Sequence, residues 1–346
     1  MRLIPFILAI ALFSHVVHAQ RLIYRGHERL PEDEAPGLSG ITYAGDGTYW
    51  GVLEWEAKLI RLRIPTRDDA SIESVTIDRT VQMRRGTDFE GIAFTSARPD
   101  AVMVSTESPG VVEVSLKDGR AKHSLELPRL FQQIVRNQGL ESLTYSHDGQ
   151  TLWTANERAL KTDGNPQQPI TPFLAATRVR LLRYDRAGDT FEPAAQFEYE
   201  SGGVHGAAGQ IGLCDLAALP DGRLLSLERS AAQGLSGKKS IRSRIYLVDP
   251  ADATDISRQP FNAGLVGESP IKVSKTLLFD GFVCDDNGEN LEGLCIGPPL
   301  ARGRFAILAV VDNTDGGVGV SAPAVVAFEL DLTAPPTTQP AGAANE

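Results

Sequence analysis

The chain has 346 residues, 44 acidic against 34 basic side chains, a formal net charge of −10 and a pI near 5.2. With no basic stripe to neutralise phosphates, that balance argues against a nucleic-acid partner. Three cysteines, Cys214, Cys284 and Cys295, cannot all pair within one chain and lack zinc-site spacing. They read as small buried residues with at most one bridge.

Residues 1–19 read as a secretory leader, with Arg2 as its charge, Phe6–Phe13 as its apolar run and Val17-His18-Ala19 before the cut. The apolar run is too short to span a bilayer. The mature protein is expected to be periplasmic or secreted, monomeric and not inserted in a membrane. Residues 20–332 read as one domain. The Pro- and Thr-rich tail, 333–346, is expected to be disordered.

One segment recurs five times along that domain. Its first half reads Gly37-Leu-Ser-Gly-Ile-Thr-Tyr43, Asp88-Phe-Glu-Gly-Ile-Ala-Phe94, Gly139-Leu-Glu-Ser-Leu-Thr-Tyr145, Gly212-Leu-Cys-Asp-Leu-Ala-Ala218 and Asn290-Leu-Glu-Gly-Leu-Cys-Ile296. A turn follows, as at Gly45-Asp-Gly47, His147-Asp-Gly149 and Pro220-Asp-Gly222. The second half is an apolar strand ending in a carboxylate: Trp50–Glu54, Val102–Glu107, Leu152–Glu157, Leu224–Glu228 and Ile307–Asp312. Third strands fit Leu59–Ile64, Val111–Val114, Leu181–Tyr184, Ile245–Val248 and Val325–Leu330. Weaker fourth strands fit Ser74–Ile77, His123–Leu127, Ala195–Tyr199 and Thr276–Phe279.

Four period-two strands per unit predict an all-β fold, a single β-propeller of five blades. Uneven spacing between the later repeats leaves room for a sixth, degenerate blade. The last unit lacks a fourth strand after Leu330, and Arg21–Tyr24 is the candidate to supply it and close the ring.

The start of strand one and the end of strand two lie at the same rim of a propeller. Ten matched positions therefore converge: Ser39, Glu90, Glu141, Asp215 and Glu292, then Glu54, Glu107, Glu157, Glu228 and Asp312. Nine of the ten are acidic. Crowded carboxylates raise one another's pKa unless something neutralises them, and a hard divalent cation bound by oxygens does so. Calcium suits a wide carboxylate ring better than magnesium, and zinc has no recurring His or Cys to bind. The competing reading pairs these acids with arginines at blade junctions. Arg158 and Arg229 directly follow Glu157 and Glu228, but strand alternation turns each away from its neighbour. They are read instead as facing an anionic substrate, with His205 and Lys238 from long loops at the same rim.

These segments, with Leu219-Pro-Asp-Gly-Arg-Leu-Leu-Ser-Leu-Glu-Arg229 and Val311-Asp-Asn313, resemble the phytase-like family of exported propellers, "esterase-like activity of phytase". The resemblance covers roughly residues 30–332 and implies a β-propeller with hydrolase-like activity; true propeller phytases are calcium-dependent phosphomonoesterases. The expected function is a metal-dependent hydrolase of an ester or phosphoester, acting on a small anionic or ester substrate, with Glu141 or Glu90 as base. The alternatives are a binding propeller with a structural calcium ion, and a lactonase.

Overall fold

The repeats fold as hairpins because their turns accept left-handed backbone. Asp46 and Gly47, with φ of 50° and 66°, join two strands paired through Gly45 and Thr48. Positive φ at both central residues matches the right-handed twist of the flanking strands. In this computed structural model the described residues are 20–84, 88–108, 110–164, 176–313 and 322–332. The expected leader and tail lie outside them.

Strand β1 (Arg21–Arg29) precedes the first repeat. The first blade is β2 (Leu38–Gly45), β3 (Thr48–Leu53), β4 (Lys58–Arg63) and β5 (Thr76–Gln82). The second is β6 (Phe89–Ala93), β7 (Ala101–Thr106), β8 (Gly110–Ser115) and β9 (Ala121–Ser124). The third is β10 (Thr144–Tyr145), β11 (Thr151–Ala155), β12 (Arg178–Ala187) and β13 (Thr190–Glu200). The fourth is β14 (Ala208–Ala218), β15 (Leu224–Gln233), β16 (Lys239–Asp249) and β17 (Ser274–Gly281). The fifth is β18 (Leu291–Leu300), β19 (Arg304–Val311) and β20 (Ala324–Asp331), with β1 as its outer strand. All pairs are antiparallel, and five four-stranded sheets make a five-bladed β-propeller.

There is no sixth blade among the described residues. The extra length of the third and fourth units goes into long strands β12 to β16 and a loop over residues 250–273. Arg180 anchors that loop from inside: it is fully buried, pairs with Asp163 at 2.6 Å and donates to the Phe261 carbonyl at 2.9 Å. Helix is limited to short 3-10 turns among the described residues, and none is long and apolar enough to cross a membrane. All three cysteines are free thiols, so the expected maximum of one bridge is zero here.

The core is five seams. Each apolar cluster joins two adjacent blades: Trp50, Val52, Phe89 and Val104 fill the first seam, and Leu38, Ile41, Leu308 and Val310 fill the last. Closure is a strand addition: β1 runs along β20 from Arg21 opposite Asp331 to Arg29 opposite Ala324. Leu22 enters the seam between blades four and five, and Arg29 grips Glu289 at 2.5 Å. Deleting residues 21–30 uncovers the β20 edge and empties the sites of Leu22 and Leu30, both over nine-tenths buried. Each lost leucine is worth about 2–5 kcal/mol, so the melting temperature should drop by about 10 °C or more. A truncated chain that melts with the intact one, followed by circular dichroism, would refute the closure.

Candidate functional site

Each first strand carries a β-bulge at the same point. Pairing shifts register between Leu38 and Gly40, Phe89 and Ile92, Leu213 and Asp215, and Leu291 and Gly293. In blade three the bridge Leu140–Asn156 and the pair Thr144–Trp153 differ by the same one-residue shift. A bulge re-aims the side chain of the extra residue. The residues so placed are Ser39, Glu90, Glu141, Cys214 and Glu292. Their companions on the second strand are fixed by backbone bonds: Glu54 to Gly37, Glu107 to Asp88, Glu157 to Gly139 and Asp312 to Asn290, with Arg229 opposite Gly212.

Register therefore corrects two of the expected positions. In blade four the inner slot holds Cys214 and the outer slot Arg229; Asp215 and Glu228 stand one residue away and face elsewhere, because a one-residue shift reverses the side chain. Asp215 is buried and accepts backbone N–H groups from Leu294 at 2.7 Å, Leu216 at 2.8 Å and Leu143 at 3.3 Å. It bridges the inner strands of its two neighbours. Glu228 is buried and takes Lys275 Nζ at 2.6 Å, the Tyr199 hydroxyl at 2.5 Å and Gly202 N at 2.9 Å. The ring thus has seven carboxylates in ten slots.

Six of them, Glu54, Glu90, Glu107, Glu141, Glu157 and Glu292, line a cavity of about 240 Å³ at one mouth of the channel. Two groups bring oxygens within 4.8 Å of one another: Glu90 with Glu107 and Glu141, and Glu54 with Glu292 and Asp312. Ser39 donates to Glu90 at 2.8 Å, and Gly139 N donates to Glu107 Oε2 at 2.8 Å. Glu107 Oε1 is buried with no donor. Burial, then the charges of Glu292 and Glu54, pushes the Glu90 carboxyl well above the glutamate range. Glu141 is pushed up the same way, by burial and then Glu90 and Glu157, and Glu107 is raised chiefly by burial.

The other half of the ring already has cations. Arg229 contacts Glu292, donates to Asn290 Oδ1 at 2.7 Å and lies 3.4 Å from Glu157. Arg158 Nη2 is 3.5 Å from Glu157. The alternation argument for Arg158 fails because β11 ends at Ala155, before the bend that carries Glu157 and Arg158. Both arginines are thus engaged with ring carboxylates; Arg229 still lines the acidic cavity, and Arg158 does not. His205 is half-buried between the hydroxyls of Ser230, 2.7 Å from Nδ1, and Ser240, 2.8 Å from Nε2. Burial, then Arg242 and Arg244, lowers its pKa. It does not line the acidic cavity, and Lys238 is exposed in the β15–β16 turn.

The cavity also has a wall beyond the ten matched positions: Trp55, Asp88, Arg136 and Asn137. Trp55 is 57% exposed, and exposed Arg136 makes no ion pair among the described residues. Asp88 opens the second repeat and Trp55 directly follows Glu54, so both stand beside matched positions. Arg136 and Asn137 come from a loop with no repeat signal.

The geometry is that of a propeller with one acidic mouth, and the family model described as "Esterase-like activity of phytase" matches residues 34–314. The chain belongs to the phytase-like family. No curated protein matches it in sequence. Among solved structures, a chain from S. cerevisiae Dbp5 bound to Nup159, Gle1, IP6 and ADP aligns over 90% of this chain and 95% of that one. Its identity is 10% and its TM-score 0.36, so nothing is drawn from it. Phytase-like membership and the propeller fold together suggest a hydrolase-type function.

Two predictions follow from the buried acids. Asp215→Ala leaves the buried Leu143 and Leu294 amides without their acceptor and should destabilise the fold by about 3 kcal/mol in chemical denaturation; an effect below about 1 kcal/mol would remove its bridging role. The raised values at Glu90, Glu107 and Glu141 mean that the folded chain keeps protons the unfolded chain has released. Their contribution to stability is fully present below the ordinary glutamate range and is lost as pH rises through the raised values. With divalent ions chelated, the melting temperature should fall as pH rises above the ordinary glutamate range, and Glu90→Gln or Glu141→Gln should flatten the fall. An unchanged slope in both variants would contradict the shared titration.

Proposed function

We propose that this phytase-like propeller is an exported, metal-dependent hydrolase of an ester or phosphoester, working at the acidic mouth. The observation that carries the reading is the Glu90, Glu107 and Glu141 group. Its oxygens lie within 4.8 Å of one another, and no arginine, lysine or histidine pairs with any of the three among the described residues. A buried carboxylate oxygen without a donor, Glu107 Oε1, fits a cation. The donor set is all oxygen, which suits calcium, with magnesium second. Glu90, Glu107 and Glu141 would hold the ion.

A bound divalent ion supplies Lewis acidity, polarising an ester or phosphoryl oxygen and acidifying water. The chain's own residues do the rest. Glu141 or Glu90 would take the proton as base. Ser39 orients Glu90 through its 2.8 Å bond. Arg136 replaces Arg158 and Arg229 as the cation offered to an anionic substrate, and Trp55 gives an apolar face beside it.

The second reading is a binding propeller with a structural ion. Arg158 and Arg229, already neutralising Glu157 and Glu292, favour it.

The mature protein would be assayed on p-nitrophenyl phosphate, p-nitrophenyl acetate, phytate and a simple lactone. Hydrolysis of at least one should be abolished by EDTA and restored by calcium. Glu107→Gln and Glu141→Gln should lower kcat at least about tenfold, whereas Arg136→Ala should raise KM about tenfold with kcat little changed. Activity that survives EDTA overturns the metal reading. Tight calcium binding without turnover of any substrate selects the binding propeller.

A further inference from the structure

The five blades offer the outer slot of the ring five times. Four fill it with a carboxylate, Glu54, Glu107, Glu157 and Asp312, and blade four fills it with Arg229. The guanidinium is almost covered, with 13% of its side chain exposed. It spans from Glu157 in blade three, at 3.4 Å, to Glu292 in blade five, with Asn290 Oδ1 at 2.7 Å. Asn290 Nδ2 donates to the same Glu292 oxygen at 3.0 Å. One oxygen of Glu292 is thus committed to a resident positive charge and an amide.

We infer that Arg229 is the built-in cation of the ring, that it occupies the blade-three-to-five half in place of a metal, and that the protein binds one divalent ion, at Glu90, Glu107 and Glu141. This rests on the proposed cation-binding reading of the mouth. The ring offers two carboxylate groups with nearly the same spacing, within 4.8 Å in each. They differ in company. The Glu54, Glu292 and Asp312 group shares Glu292 with Arg229; the Glu90, Glu107 and Glu141 group has no basic partner among the described residues. A divalent ion in the shared group would stand against a buried guanidinium, and like charges in a low-dielectric site repel strongly. Arginine suits the role because its charge is permanent and its planar fork reaches two carboxylates at once. The slot thereby sets the number and place of metal ions, a specificity that the repeat alone does not encode.

Calcium titration calorimetry on the full mature protein tests this, with melting temperature as a second readout. Wild type should bind one ion. Glu107→Gln should weaken that binding at least about tenfold, while Asp312→Asn should leave it within about threefold. Arg229→Gln should bind two ions, Arg229→Lys one, and adding Asp312→Asn to Arg229→Gln should return the count to one. Two ions on wild type, or equal losses from Glu107→Gln and Asp312→Asn, overturn the inference while leaving the metal reading intact. A folded Arg229→Gln that still binds one ion also overturns it. Should Arg229→Gln not fold, the contrast between Glu107→Gln and Asp312→Asn decides alone. No calcium on wild type removes the cation reading itself, and this inference with it.

Discussion

The inner strands meet so closely at the propeller axis that in three blades the slot next to the ring residue has almost no room for a side chain. A Cβ on Gly40 would lie 2.5 Å from the Glu90 carbonyl, on Gly91 2.6 Å from Leu143 N, and on Gly293 2.7 Å from the Ser39 carbonyl. Real Cβ atoms do not come so close, so these positions are glycine for steric reasons. The same layer separates the acidic mouth from a larger cavity of about 520 Å³ on the other side, lined by Tyr43, Phe94, Tyr145 and Phe305. Bulges lift the ring residues just above this layer. Close packing and the convergence of acids are therefore one feature, since the strands that touch at the axis bring their bulged side chains together.

Blade four departs from that pattern, and its departure is structural. Asp215 stands in the slot that is glycine or serine in the other blades, and its carboxylate joins the inner strands on either side. It replaces a tight backbone contact with hydrogen bonds from buried amides. Glu228 is likewise absorbed, by Lys275 on β17 and Tyr199 on β13. Acids in neighbouring register positions of one hairpin thus hold the fold, while their counterparts elsewhere face the channel.

The repeat made the fold readable. Period-two strands, Asp-Gly turns and a missing last strand were enough for five blades and for closure by the start of the chain. The ring was readable in four blades and misread in the fourth. Gly212-Leu-Cys-Asp-Leu matches Gly139-Leu-Glu-Ser-Leu only if the acid is allowed to move one place, and a bulge makes that one place a change of face. Alignment by glycine and leucine alone puts Cys214 and Arg229 in the slots. Arg158 was misjudged for a related reason: alternation governs residues within a strand, and it lies past the end of one. Arg136 and Asn137 carry no periodic signal at all, since their place at the mouth comes from tertiary structure.

The charge of the mouth explains why the ring is not uniformly acidic. Ten carboxylates at one rim would exceed what any single divalent ion and its oxygen shell neutralise. Serine, cysteine and arginine in three slots lower the number to seven and add a fixed positive charge on one side. Seven carboxylates against Arg158 and Arg229 still leave an excess, and it falls on the side without a guanidinium. There burial and mutual repulsion raise Glu90, Glu107 and Glu141, which favours their protonated forms. Protons and a divalent cation compete for the same oxygens, because a ligand must be deprotonated to bind metal. On the proposed reading, the asymmetry made by Arg229 is what confines that competition to a single place in the ring.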